Sequence, residues 1–174
     1  YAGALFIFNG QSGGLNSDHA GMEKGDSESD YIATRVIPHA DFNGDGERYL
    51  LGGAPYDDVG GSDAGSLRVY PGSSIGLTTS SVSTIRGGSG GENLGLYTYS
   101  FGAGDLNGDG KDVLVVGIPT YDTTGSDAGK IIVYMGSGAY LSSTYIDVTL
   151  YGEVAGDKFG ESLSLIHISE PTRP

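Results

Sequence analysis

The sequence predicts an all-β chain, a partial β-propeller of about two and a half four-stranded blades. Three observations carry that expectation. Asp41 to Ser73 recurs without a gap 64 positions later as Asp105 to Ser137, keeping the aspartates and asparagine of an acidic turn, the proline, Ser-Asp-Ala-Gly and a tyrosine before the last glycine. The 174 residues include 32 glycines and few helix-forming runs, a composition suited to short strands joined by tight turns. Each full period of about 64 residues also offers four short apolar runs, the content of one four-stranded blade.

The elements follow in order. Tyr1 to Gly10 aligns its Ala2-Gly3 with Ala64-Gly65, so the chain opens inside a repeat. The segment to Asp30 is polar and glycine-rich, too poor in apolar residues to define a strand. Tyr31 to Pro38 reads as a strand leading into the turn at Asp41. Tyr49 to Ala54 is nearly continuous in apolar character, as a strand buried on both faces would be, whereas Leu67 to Tyr70 alternates more. Ser81 to Arg86 alternates as a half-exposed strand should, and Ile146 to Leu150 is its counterpart. These signals divide the chain into residues 1–40, the end of a first repeat with its connection, then full repeats at 41–104 and 105–162. Residues 163–174 leave the pattern. They resemble translated read-through of a sequencing-library adapter and are set aside from function.

Charge narrows the partners. Nine basic against 22 acidic residues give a net charge of −13, which repels nucleic acid and anionic membranes. No apolar run approaches the roughly 20 residues needed to cross a bilayer as a helix, so membrane insertion is not expected. The absence of cysteine removes a disulfide framework, a thiolate metal site and a cysteine nucleophile.

Asp-x-Asn-Gly-Asp-Gly, then an apolar strand and Gly53-Ala54-Pro55, with Phe159-Gly160 opening the next approach, resembles the FG-GAP repeat. The resemblance covers about residues 2 to 163. It implies the β-propeller found at the head of integrin α subunits and in many bacterial secreted or surface proteins. The sequence departs from the pattern at Gly117-Ile118-Pro119, at Leu94-Gly95, and between Asp26 and Ala40, where the Phe-Gly pair is missing.

The acidic turns carry the candidate chemistry. Asp41, Asn43 and Asp45 alternate along one tight loop, and Asp105, Asn107 and Asp109 along the other, so three hard oxygen donors converge in each. Gly44, Gly46, Gly108 and Gly110 supply backbone angles that a side chain forbids. Such donors suit calcium, although Asn-Gly and Asp-Gly are also strong hairpin residues without any metal. An EF-hand is rejected because its twelfth position falls on Gly52 and Val116, and strands follow. The family resemblance implies ligands at loop positions one, three, five and nine with a backbone carbonyl at seven. Those positions are Asp41, Asn43, Asp45 and the carbonyl of Glu47, then Asp105, Asn107, Asp109 and the carbonyl of Lys111. Position nine holds Tyr49 and Val113 in place of an acid, and Asp112 sits one place early, so weak sites of ~10⁻⁴–10⁻³ M are expected.

Other candidates carry less. His19, His39 and His167 share no metal-ligand spacing and read as surface histidines. Asp57, Asp58, Asp63, Asp122 and Asp127 lie in the loops after the proline and read first as solvated turn acids, ahead of an acid pair for glycoside cleavage or a cation-dependent recognition face. Tyr56, Tyr121, Tyr70 and Tyr134 suggest packing between blades or a ligand surface. No nucleophile elbow or phosphate-binding glycine loop occurs, so no enzyme activity is expected of this chain.

The resulting expectation is an extracellular or cell-surface, calcium-binding propeller module for adhesion or ligand recognition. Its partners would be a protein or glycan on a cell surface or matrix, and further blades. The alternative is an accessory or catalytic domain of a secreted polysaccharide- or lipid-degrading hydrolase. Two and a half repeats, by rough count, also leave apolar surface open between blades, so self-association is expected.

Overall fold

The computed structural model describes residues 1–72, 83–97, 100–136, 141 and 146–164. Every regular element among them is a β-strand, and the chain divides into two compact units. The first comprises Tyr1–Pro38 and Glu47–Leu96, and the second His39–Gly46 and Tyr97–Pro174.

The first unit opens with β1 (Ala4–Ile7), the short hairpin β2 (Gly10–Gln11) and β3 (Gly14–Leu15), and β4 (Gly21–Lys24). β1 and β4 pair antiparallel with Phe6 opposite Met22 and Leu5 opposite Glu23. The polar segment before Asp30 therefore does contain strands, contrary to its low apolar content. β4 forms because Glu23, at a core-facing position, is matched by an arginine from β7. Next come β5 (Val36–Ala40), β6 (Tyr49–Ala54), β7 (Ser66–Tyr70) and β8 (Ser83–Arg86), hydrogen-bonded in that order as one four-stranded sheet. β6 is buried along almost its whole length, as its continuous apolar character predicts. β7 is buried throughout as well, and the exposed face suggested by its alternation is absent. Arg68 occupies that face at only 5% exposure, its Nη1 and Nη2 lying 2.7 and 2.6 Å from Glu23 Oε1 and Asp26 Oδ2.

The second unit holds β9 (Phe101–Gly104), β10 (Val113–Ile118), β11 (Lys130–Tyr134) and β12 (Val148–Tyr151), a four-stranded antiparallel sheet in the order β12-β11-β10-β9. Each four-stranded sheet is an up-and-down meander of sequential strands, the organisation of a propeller blade, and none of the sheets is closed. Strand bounds shift from expectation at the approaches: β5 begins at Val36 because residues 31–35 form a bridge and turn, and β12 spans Val148–Tyr151. The start of the predicted strand at Ser81 and the set-aside tail from 165 onward, His167 included, lie outside the described residues.

Ser-Asp-Ala-Gly acquires a structural reason. Gly65 forms a parallel bridge to Leu94, Gly129 to Phe159, and Gly3 to Ile32, so the same contact occurs three times. A Cβ on Gly65 would lie 2.4 Å from Leu94 N, and one on Gly129 2.4 Å from Phe159 N, so only glycine admits the incoming approach segment. Leu94 is buried where the family pattern has phenylalanine, and it does the same work in that bridge.

Candidate metal-binding turns

Both acidic turns adopt one geometry, built from the aspartate at position one. Asp41 Oδ1 and Oδ2 accept the N–H groups of Gly44 and Gly46 at 2.8 and 2.9 Å. Asp105 does the same for Gly108 and Gly110 at 2.7 and 3.0 Å. Four glycines with φ between +75° and +84° let the backbone curl around these carboxylates, as the sequence predicts. Asn43 Oδ1 accepts from the Asp45 N–H at 3.2 Å while its Nδ2 donates to Asp45 Oδ2 at 2.6 Å. Asn107 and Asp109 repeat the arrangement at 3.1 and 3.0 Å. The Lys111 N–H donates to Asp109 Oδ1 at 2.9 Å, and Glu47 occupies the equivalent place in the chain after the first turn.

Desolvation acts to raise the Asp105 pKa, but backbone N–H groups from Gly110, Gly108, Asn107 and Asp109 outweigh it and hold the carboxyl below its ordinary value. A carboxylate so held is ionised at neutral pH, the state a cation needs.

The donor set fits a hard divalent ion in chemistry, with two carboxylates and an amide oxygen per turn and a backbone carbonyl following. It is sparse in charge: among the described residues no group of three or more His, Asp or Glu side chains gathers to hold a metal. Position nine contributes nothing, because Tyr49 and Val113 are buried in β6 and β10. Asp112 has a different role from that of a displaced ninth ligand. Its Oδ2 accepts the Asp41 N–H at 2.6 Å, and its own N–H donates to the Asp41 carbonyl at 2.7 Å.

The acids of the later loops are tied into their own turns. Asp57, 3% exposed, accepts from the Ser66 hydroxyl at 2.7 Å and the Val59 N–H at 2.9 Å. Asp58 and Asp122 accept the N–H groups of Asp63 and Asp127, each at 2.8 Å. Those bonds hold Asp63 and Asp127 in left-handed conformations just before the glycines of the repeated bridge. Tyr70 and Tyr134 are buried, whereas Tyr56 packs edge-on against Tyr31 and Tyr121 stacks on Tyr151. His19 lies edge-on to Phe6.

The Arg68 cluster escaped the sequence reading entirely. Glu23, Asp26 and Asp57 surround one guanidinium, and Glu23 Oε2, Arg68 Nε and Tyr70 Oη have no hydrogen-bond partner of acceptable geometry. Burial, then the neighbouring Glu23 carboxylate, pushes the Tyr70 hydroxyl far above its usual pKa. The only signal in the sequence was an arginine inside an otherwise apolar strand.

Two meander sheets entered through the same acidic turn define a propeller-type repeat protein. Residues 97–134 match the family model described as FG-GAP repeat, so that span is similar to an FG-GAP repeat. The match takes in β9, the second acidic turn, β10 and β11.

Proposed function

We propose that this chain is an extracellular, calcium-binding FG-GAP propeller module for adhesion or ligand recognition, similar in kind to the head of integrin α subunits. The observation that carries the reading is the duplicated turn, in which Asp41 and Asp105 accept the same pair of glycine N–H groups and Asn43 with Asp45 repeats the pairing of Asn107 with Asp109. That turn gathers hard oxygen donors, two carboxylates and an amide oxygen, within one short loop.

Asp41, Asn43 and Asp45 with the Glu47 carbonyl would hold one ion, and Asp105, Asn107 and Asp109 with the Lys111 carbonyl the other. Calcium would neutralise the paired carboxylates and stiffen the loop. The protein's own part is to hold the Asp105 carboxylate ionised through backbone N–H groups and leave the remaining coordination to water. With no ninth ligand, affinity of ~10⁻⁴–10⁻³ M places occupancy outside cells, where calcium is abundant. A rigid sheet edge would then present the loops after Pro55 and Pro119 to a protein or glycan on a surface or matrix.

Thermal unfolding at increasing free calcium tests the reading, because binding to the folded state alone raises stability by mass action. A melting temperature that climbs through the millimolar range is the expected result. An unchanged value at several millimolar, on the scale set by the affinity range for extracellular modules, would remove the metal from the proposal.

A further inference from the structure

The two acidic turns rest against each other. Residues 39–46 belong to the same compact unit as the second turn. A Cβ on Gly44, in the first turn, would lie 3.2 Å from Lys111 Cγ and 3.3 Å from the Gly110 carbonyl oxygen, so the first turn sits on the end of the second. Beside this contact the Asp41 N–H donates to Asp112 Oδ2 at 2.6 Å, and the Asp112 N–H donates to the Asp41 carbonyl at 2.7 Å. Gly136, just after β11, closes the joint. A Cβ there would lie 2.6 Å from the carbonyl oxygens of both Phe42 and Asp112, so three chain segments meet where only glycine fits.

The repeat by itself does not call for an acid at this joint. Asp112 occupies the position that Arg48 holds 64 residues earlier, after the first turn. Its side chain and main chain alike are bonded to the first residue of the other turn. The peptide group between Lys111 and Asp112 therefore serves both turns: its N–H is bonded to Asp41, and its carbonyl is the seventh-position oxygen proposed for the second ion. A peptide that donates its N–H has a more polarised carbonyl, and charge drawn from that carbonyl makes the N–H a better donor. Asp41 is held in the same two-sided way, its carboxylate by Gly44 and Gly46 and its backbone by Asp112. Ordering one turn orders the joint, so less conformational entropy is lost when the other turn is ordered in its place.

We infer that Asp112 is a positioning residue that couples the turns, so that calcium in one raises the affinity of the other; this rests on the calcium reading proposed above. Charge works the opposite way, because neutralising Asp41 and Asp45 removes negative potential that draws a cation to Asp105 and Asp109. Asp45 and Asp109 are exposed, so salt screens that opposition and leaves the hydrogen-bonded joint in place.

Calcium titration of the 174-residue chain at about 0.5 M salt, followed by amide NMR signals, reads the turns separately. Gly44 and Gly46 report the first turn, and Gly108 and Gly110 the second. Asp45→Asn weakens the first turn and changes no proposed ligand of the second, yet should raise the calcium midpoint of the second about fivefold. Asp109→Asn should raise the midpoint of the first, because coupling is reciprocal. In an Asp112→Ala background both shifts should vanish; in Asp112→Asn, which keeps an oxygen in place, they should persist. Wild-type β11 signals verify that each variant folds, and the Asp45→Asn and Asp109→Asn arms test the coupling even where Asp112→Ala is too unstable to titrate. Saturable binding with each midpoint indifferent to the other turn, midpoints that fall, or shifts that survive Asp112→Ala would overturn the inference and leave the calcium reading standing. No saturable change at either turn would overturn both.

Discussion

Asp112 and Asp41 hold each other through two hydrogen bonds, from the Asp41 N–H to Asp112 Oδ2 at 2.6 Å and from the Asp112 N–H to the Asp41 carbonyl at 2.7 Å. The first residue of one acidic turn is thus fastened to the residue that closes the other, 71 positions away. Asp112→Ala leaves the partly buried Asp41 N–H without its acceptor and should cost about 1–3 kcal/mol. Asp112→Asn keeps an oxygen in place and should cost less. Denaturant unfolding of the two variants checks the order. If Asp112 were instead a calcium ligand, both substitutions would lower calcium affinity; the hydrogen-bonding role predicts that affinity is little changed by Asp112→Asn.

Arg68 is the one cation among three acids in a buried setting. Arg68→Ala strands Glu23 and should destabilise the protein by about 3–5 kcal/mol. Counting from the repeated glycine bridges and across the strand pairs, Ile132 and Leu150 are the second sheet's equivalents of Arg68 and Glu23, and they indicate a remedy. Adding Glu23→Leu to Arg68→Ile should recover most of the loss, since an apolar pair of similar volume replaces a buried ion pair at little cost. Equal destabilisation of the single and double variants would show that the ion pair is not the relevant contact.

Tyr70 links this cluster to pH. Its pKa is raised in the folded protein, first by burial and then by Glu23, so the phenol stays neutral when folded and ionises near pH 10 when unfolded. The stabilisation is complete below about pH 10 and declines as pH rises above it. Tyr70→Phe removes an unpartnered buried hydroxyl, so it should be neutral or stabilising by up to about 1 kcal/mol at pH 7 and should flatten the alkaline decline. Chemical denaturation at pH values on both sides of the tyrosine range measures both effects.

Two glycines with similar angles should respond differently to alanine. Gly46 has φ +84° and open space around a new Cβ, so Gly46→Ala carries only the left-handed penalty of roughly 1–2 kcal/mol. Gly65 has φ +77° and would drive its Cβ into the backbone of Leu94, so Gly65→Ala should cost distinctly more. Comparing their unfolding midpoints tests whether the repeated bridge is a required contact.

Much of the fold was legible because it is written twice. The acidic turns, β6, β7 and β10 follow from local apolar runs and turn residues that recur in register, and their glycines adopt the predicted angles. β4 was not legible: Met22, Glu23 and Lys24 have no local apolar pattern, and Glu23 takes a core position only because Arg68 arrives 45 residues later. The role of Asp112 was not legible for the same reason. Its neighbours in sequence suggest a displaced ligand, whereas its partner comes from the preceding turn. Asp57 likewise looks like a loop acid until Ser66 closes over it.

The most direct measurement counts bound calcium by equilibrium dialysis on the wild type, Asp41→Asn and Asp105→Asn. The account predicts two weakly held ions per wild-type chain and about one in each variant, because each substitution removes a carboxylate from only one turn. No saturable calcium in the wild type, or a count that neither substitution lowers, would contradict it.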